Sequence, residues 1–319
     1  MIYKINENRV SRTYLGGKSI DRFYGKAECK DGFYPEDWTA STTMAYNSSN
    51  GAEEGIGYTE EGISVKDIVG GDKMNILVKL LNSAERLVIQ AHPTVSFAKN
   101  FLNSDYGKTE CWYFLDCDKN ACVYMGFKPG VSRTEWEKAF HENDSKKMLK
   151  MLHCLPVKKG DFVFVDGGVP HSIGPGCFMI ELQEPSDLMV VNERFTLSGR
   201  EIPEQRIHMG LGYEKMFDVY DYTGYSYDEL RHKYCPQKKK IKDNLYCILG
   251  SELTEKFSMY QMSDGAKLNT DKKYRIAITE SGSGTVNGIE THKGDRLFIV
   301  NEEKINVNGD SNFNIILCE

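Results

Sequence analysis

Residues 1–128 are rich in glycine, aromatic and β-branched residues, with few long runs of helical period. Turn pairs recur at Gly16-Gly17, Asn50-Gly51 and Gly70-Gly71, so short strands are predicted there. The stretch 72–84 (DKMNILVKLLNSA) is ambiguous. Its Ile76, Leu77, Leu80 and Leu81 suit a helix stripe or a buried strand, and the pattern does not separate the two. Residues 132–153 change period. Trp136, Phe140, Met148, Leu149 and Leu152 make an apolar helical face, and Ser132 with Glu135 spells a capping box, so one or two helices are predicted. Residues 156–197 return to strand character in DFVFVD and MIELQ. Residues 200–235 are polar and helical, with a second capping box at Ser226 and Glu229, and end at Pro236 and the run Lys238-Lys239-Lys240, read as a solvated linker. Residues 241–319 are strand-like, with turns at 282–284, Asn287-Gly288, 293–295 and Asn308-Gly309.

The order strands, helices, strands, helices, strands suits two antiparallel β units with helices inserted or packed between them. At 319 residues, 40% hydrophobic, the chain has enough apolar material for one large domain or two ordinary ones. A net charge of −6 argues against a binder of nucleic acid that neutralises phosphates. No apolar run approaches the ~20 residues that cross a bilayer, and the charged start MIYKINENRV does not read as a signal peptide. Nine cysteines, odd in number and without a CxxC pair, fit free thiols and a cytoplasmic setting better than disulfides or a cysteine–zinc site. The sequon Asn47-Ser48-Ser49 is then without consequence.

Several apparent motifs carry no chemistry. Gly17-Lys18-Ser19 looks like the tail of a phosphate loop, but the required glycine at position 12 is Arg12. The glycines of 282–288 miss G-x-G-x-x-G, and no G-x-S-x-G occurs. His141, His153, His208, His232 and His292 read as surface or satisfied core residues.

Three segments are different. In RLVIQAHP (86–93) a strand puts Val88, Gln90 and His92 on one face. In GKTECWYFL (107–115) Glu110 shares a face with Trp112 and Phe114, a costly setting for a carboxylate unless it is paired or holds a cation. In GDFVFVDGGVPHSIGPG (160–176) a strand ends in a glycine turn and His171 follows Pro170 directly. Gln90, His92, Glu110 and His171 form an N/O donor set suited to a catalytic first-row metal with one open position.

The run G-x5-D-x-G-x2-H from Gly160 to His171 resembles the second cupin motif, with Asp166 where proline is usual. QAHP followed by GKTECW resembles class I phosphomannose isomerases, particularly the short bacterial forms. Leu15-Gly16-Gly17, Glu36-x-Trp38-x-x-Ser41 and Glu181-x-Gln183-x-x-Ser186-Asp187 agree in order, and the likeness covers residues 13–195 well and 196–319 loosely. It implies a mainly β chain of two cupin-type, jelly-roll barrels with inserted or connecting helices. Residues 1–199 would be the metal-binding catalytic domain with its helical insertion near 132–153, 200–240 a helical connector, and 241–319 a smaller β domain without a metal site.

The likeness further implies one Zn²⁺ per chain on Gln90, His92, Glu110 and His171. Its lysine falls on Lys108 and its acidic residue on Glu181. The implied activity is interconversion of mannose 6-phosphate and fructose 6-phosphate through an enediol, with a sugar phosphate as partner and neither nucleic acid nor membrane. Two positions depart from the pattern. Val88 stands where a serine is usual, and Val191 where an arginine follows the Ser-Asp pair by four. Arg194 is the nearest replacement, but three residues along a strand reverse the face unless the backbone bulges. The departures leave open a metal-containing sugar-binding or regulatory cupin with little or no turnover. Another metallo-cupin enzyme, such as an isomerase of another sugar or an iron oxygenase, also stays open.

Overall fold

A computed structural model describes residues 1–46, 54–71 and 74–319. The sequon at 47–49, the Asn50-Gly51 turn and the start of the ambiguous stretch at 72–73 lie outside the described residues. The described residues fold into four antiparallel sheets, the mainly β architecture with accessory helices that the pattern predicted. In the N-terminal half a six-stranded sheet runs in the order Arg9–Val10, Glu36–Thr39, Leu77–Ser83, Cys177–Gln183, Glu110–Cys117, Phe162–Val165. A five-stranded sheet runs Val190–Val191, Gln90–Ala91, His171–Ile173, Cys122–Phe127, Leu152–Pro156. Val78, Leu81, Phe114 and Met179 of the first share one apolar cluster with Val123, Met125 and Ile173 of the second.

The ambiguous stretch is a strand from Leu77 to Ser83, buried at every residue and paired on both sides. A central strand buried on both faces needs no alternation, which is why its pattern could not be told from a helix. Antiparallel register then sets the inner face. Trp38, Lys79, Glu181 and Trp112 lie in one cross-strand row, and Gln183, Glu110 and Val165 in the next. Residues directly opposite one another share a face, so Glu110, Glu181 and Lys79 all look the same way.

Helices Arg133–His141 and Ser145–Met151 form as predicted, and both capping boxes are closed. Trp136 and Phe140 share an apolar cluster with Ile207, Phe217 and Tyr220 of the connecting region and with Ala91 and Val191 of the five-stranded sheet. In the C-terminal half a seven-stranded and a four-stranded sheet enclose a core of Leu245, Met262, Leu297, Ile305 and Val307. Two details differ from the sequence reading. The lysine run is no linker: Lys239–Lys242 is an exposed edge strand, where lysines discourage further pairing. The strand Ile2–Lys4 pairs with Leu297–Ile299, so the division drawn at 199 is crossed by the chain's own first residues.

Candidate metal centre and cavity

Gln90 and His171 are direct partners in the five-stranded sheet, and Gln90 Nε2 lies 3.2 Å from His171 Nε2. His92 follows two residues after Gln90, its ring centroid 4.8 Å from that of His171. Glu110 begins its strand on the facing sheet. Two glycine turns clamp these segments together. Lys108 N donates to Pro93 O and Gly168 N to His92 O, at 3.0 and 2.7 Å. A Cβ on Gly107 would sit 2.6 Å from Pro93 O, and one on Gly167 2.9 Å from Thr94 Cα, so neither turn admits a side chain.

Glu110 Oε1 lies 3.4 Å from His171 Nε2, and Glu110 Oε2 lies 3.3 Å from His92 Nε2. The nearest ligand atoms of His92, Glu110 and His171 all fall within 4.8 Å of one another, with all three side chains buried. Each imidazole uses Nδ1 on a backbone carbonyl, His92 on Leu188 O at 2.8 Å and His171 on Val169 O at 3.0 Å. Donation from Nδ1 leaves the Nε2 lone pairs turned toward the carboxylate, the tautomer a metal ligand requires.

Burial, followed by the nearby charge of Lys108, lowers His92 to about 4. Burial also lowers His171. Burial alone would raise Glu110, but Lys108 and His92 outweigh it and hold the carboxyl well below its usual range. The set is therefore two neutral imidazoles and an ionised carboxylate. Glu110 Oε2 is buried without a hydrogen-bond partner, although Lys108 Nζ stands 3.1 Å away. Two Nε2 lone pairs and a carboxylate converge here with only the Lys108 ammonium between them, and such a set of buried acceptors turned on one another fits a divalent ion. Lys108 Nζ now occupies the His92 Nε2 lone pair at 3.2 Å and must release it when an ion binds.

The donor set adjoins a cavity of about 320 Å³, lined by Gln90 and Lys108 at one part and by Arg12, Lys79, Glu181 and Arg206 elsewhere. Buried charges fill its floor. Lys79 Nζ donates to Glu181 Oε1 at 2.8 Å. Arg12 pairs with Glu36 at 3.0 Å and with both oxygens of Asp187 at 3.1 and 3.2 Å.

Relatives by sequence come with one name. A mannose-6-phosphate isomerase of Bacillus subtilis is 34% identical over 125 residues, 37% of this chain and 36% of that protein. A second B. subtilis protein, a probable mannose-6-phosphate isomerase, is 27% identical over 224 residues, 69% of this chain and 66% of that one. These matches span a third to two thirds of the relatives' own length. The chain resembles mannose-6-phosphate isomerases. The fold agrees over the whole chain: the B. subtilis mannose 6-phosphate isomerase structure superposes with a TM-score of 0.75 at 20% identity, covering 100% of this chain and 99% of that one. A zinc-bound mannose 6-phosphate isomerase gives 0.71 at 12% identity, covering 99% and 98%. No family model matches the chain.

Against that likeness to the isomerases, the other sequence-predicted residues fall as follows. Lys108 and Glu181 both line the cavity. Arg194 does not. Its guanidinium lies over the rings of Phe140 and Tyr213, at 4.9 and 5.0 Å, and Nη1 donates to Tyr213 Oη. Arg194 lies beyond the end of the strand Val190–Val191, where face alternation no longer applies, and the aromatic contacts hold it off the cavity wall, against the expectation that it serves the chemistry. Val191 pairs with Gln90 and is buried in the apolar cluster of the helices, while Val88 lines the cavity.

Sequence reasoning missed Arg12, Lys79, Arg86 and Arg206 as cavity walls. Lys79 carried a usable signal, a lone charge inside the apolar run ILVKLL. Arg12 and Arg206 carried none, because each is an ordinary residue of a polar segment that only the fold brings inward. Among the described residues, no helix is long and apolar enough to cross a membrane.

Proposed function

We propose that the chain is a zinc-dependent aldose–ketose isomerase that interconverts mannose 6-phosphate and fructose 6-phosphate through an enediol. The observation that carries this reading is the Glu110 carboxylate buried between the Nε2 atoms of two neutral imidazoles, beside a cavity that Gln90 and Lys108 line. His92, Glu110 and His171 would hold the ion, with the Gln90 amide as fourth donor. When bound, the ion supplies a Lewis acid that stabilises negative charge on the sugar's carbonyl and hydroxyl oxygens. Glu181 is the candidate base for the carbon-bound proton. Lys79 takes its Oε1, and Oε2 makes no hydrogen bond with a described residue. Lys108, on the cavity wall beside Glu110, is placed to donate to and orient a sugar hydroxyl. Residues 1–199 would carry the chemistry, the helices that follow would close one wall, and 241–319 would support them. All nine cysteines are free thiols, which supports a reducing, cytoplasmic setting.

The test is a coupled assay of mannose 6-phosphate isomerisation by the purified protein. We expect turnover that is lost on chelation and restored by zinc, and a kcat lowered ~10²–10⁴-fold in Glu181→Gln. Fully zinc-loaded protein without turnover would overturn the reading. A second reading, a sugar-binding cupin without turnover, is favoured by one observation: the buried Val191 beside Gln90, where similar sequences place arginine. It predicts sugar binding in the same zinc-loaded protein with no product formed.

A further inference from the structure

A sugar phosphate needs a cationic group for its dianion, and the cavity offers five basic side chains: Arg12, Lys79, Arg86, Lys108 and Arg206. Four of these are already matched to carboxylates. Arg12 holds Glu36 and Asp187, Lys79 holds Glu181, Arg86 makes a two-pronged pair with Glu193 at 2.7 and 2.8 Å, and Lys108 faces Glu110. Arg206 is the exception. Among the described residues it forms no ion pair. Its Nε is buried without a hydrogen-bond partner, and its one hydrogen bond runs from Nη2 to Tyr46 O at 2.7 Å.

Tyr46 ties this guanidinium to the floor. Its backbone N donates to Asp187 Oδ2 at 2.9 Å while its carbonyl accepts from Arg206. Asp187 is itself engaged by both prongs of Arg12, so Arg206, among the described residues, is the one basic side chain of the cavity that has no carboxylate within ion-pair distance, and it keeps free donors. Burial and the repulsion of Arg12 lower its pKa, and the attraction of Asp187 offsets them only in part. Arg206 comes from the helix Glu204–His208, after the segment in which similar sequences keep their arginine and this chain has Val191.

We propose that Arg206 is the phosphate-recognising residue of the cavity, so that the helix following the catalytic half, rather than the strand carrying Val191, sets the preference for a phosphorylated sugar. A guanidinium with free donors binds a phosphate two-pronged, through hydrogen bonds that charge strengthens. The proposal rests on the isomerase reading for the identity of the sugar, but its test does not need turnover.

Titration calorimetry on the zinc-loaded full-length protein compares mannose 6-phosphate with mannose, for the wild type, Arg206→Gln and Arg206→Lys. We expect Arg206→Gln to weaken mannose 6-phosphate binding ~10- to 100-fold, the range of a charge-assisted hydrogen bond or two. Mannose binding should stay unchanged, and Arg206→Lys should recover part of the loss. Inorganic phosphate should compete with mannose 6-phosphate in the wild type and less in Arg206→Gln. If the wild type turns over substrate, Arg206→Gln should raise KM much more than it lowers kcat. Arg206→Gln binding mannose 6-phosphate as tightly as the wild type overturns the proposal. So does an equal loss for mannose, or a wild type that does not distinguish the two sugars. A wild type that binds mannose 6-phosphate through Arg206 but does not isomerise it overturns the proposed function and leaves this inference standing.

Discussion

Glu36 shows how single residues hold the cavity floor. Its carboxylate accepts from Tyr14 Oη at 2.8 Å and Trp38 Nε1 at 2.7 Å, and lies 3.0 Å from Arg12 Nε. Burial raises its pKa, but Arg12, Lys79 and these hydrogen bonds outweigh burial and hold it at about 2. The unfolded carboxyl titrates near 4.5, so between about 4.5 and 2 the unfolded chain binds the extra proton. Glu36 therefore stabilises the fold fully above that window and loses its contribution as pH falls through it, at up to ~1.4 kcal/mol per pH unit. Denaturant melts between pH 5 and 3 should show a shallower acid loss in Glu36→Gln than in the wild type. The variant should also start about 3 kcal/mol less stable at pH 7, since Arg12 and Lys79 lose a buried partner. Equal slopes for the two proteins would sink this account. At this scale the sequence was legible where a polar group broke an apolar run, as with Gln90, His92 and Glu110, or followed a glycine turn, as with His171, and the structure gathers all four. It was illegible where a charge sat in a polar segment, as with Arg206, since nothing local distinguishes an arginine facing water from one facing a cavity.

Elements are fixed to one another by similar single contacts. The helix Lys18–Phe23 has Gly17 at its N-cap, which offers no side chain. Asn82, on the central strand, supplies the missing acceptor: its Oδ1 takes Gly17 N at 3.0 Å and Ser19 N at 2.9 Å, and its Nδ2 donates to Cys177 O. The apparent phosphate-loop tail is thus a docking turn. Gly16 is needed because a Cβ there would fall 1.8 Å from Asn82 O. Asn82→Ala should cost about 1 kcal/mol or somewhat more, the usual loss for a removed cap, measurable as a lower denaturation midpoint with zinc content unchanged. A midpoint equal to the wild type would show that water caps this helix as well. The capping boxes at 132 and 226 were legible because cap and helix adjoin in sequence. This cap was not, because its acceptor lies 65 residues from the turn it serves.

Across the whole molecule the two halves share material. One apolar cluster joins Trp112, Phe164 and Met179 to Ile248, Phe257, Ile276 and Ile316. Lys256, from the second half, donates to Thr109 Oγ1 at 2.6 Å and Glu184 Oε2 at 2.8 Å, beside Lys108 and Glu110. Calorimetry of the zinc-free protein should therefore show one cooperative transition, its calorimetric and van't Hoff enthalpies equal. Two resolved transitions would mean that the shared core contributes little. The turn signals of 241–319 announced a second set of strands, yet could not reveal that Ile2–Lys4 joins them, since strand pattern carries no record of its partner. That pairing has a consequence for synthesis. Ile2–Lys4 is translated about 295 residues before Leu297–Ile299, which at ribosomal speed means roughly 15 to 60 s during which one margin of the seven-stranded sheet has nothing to close against.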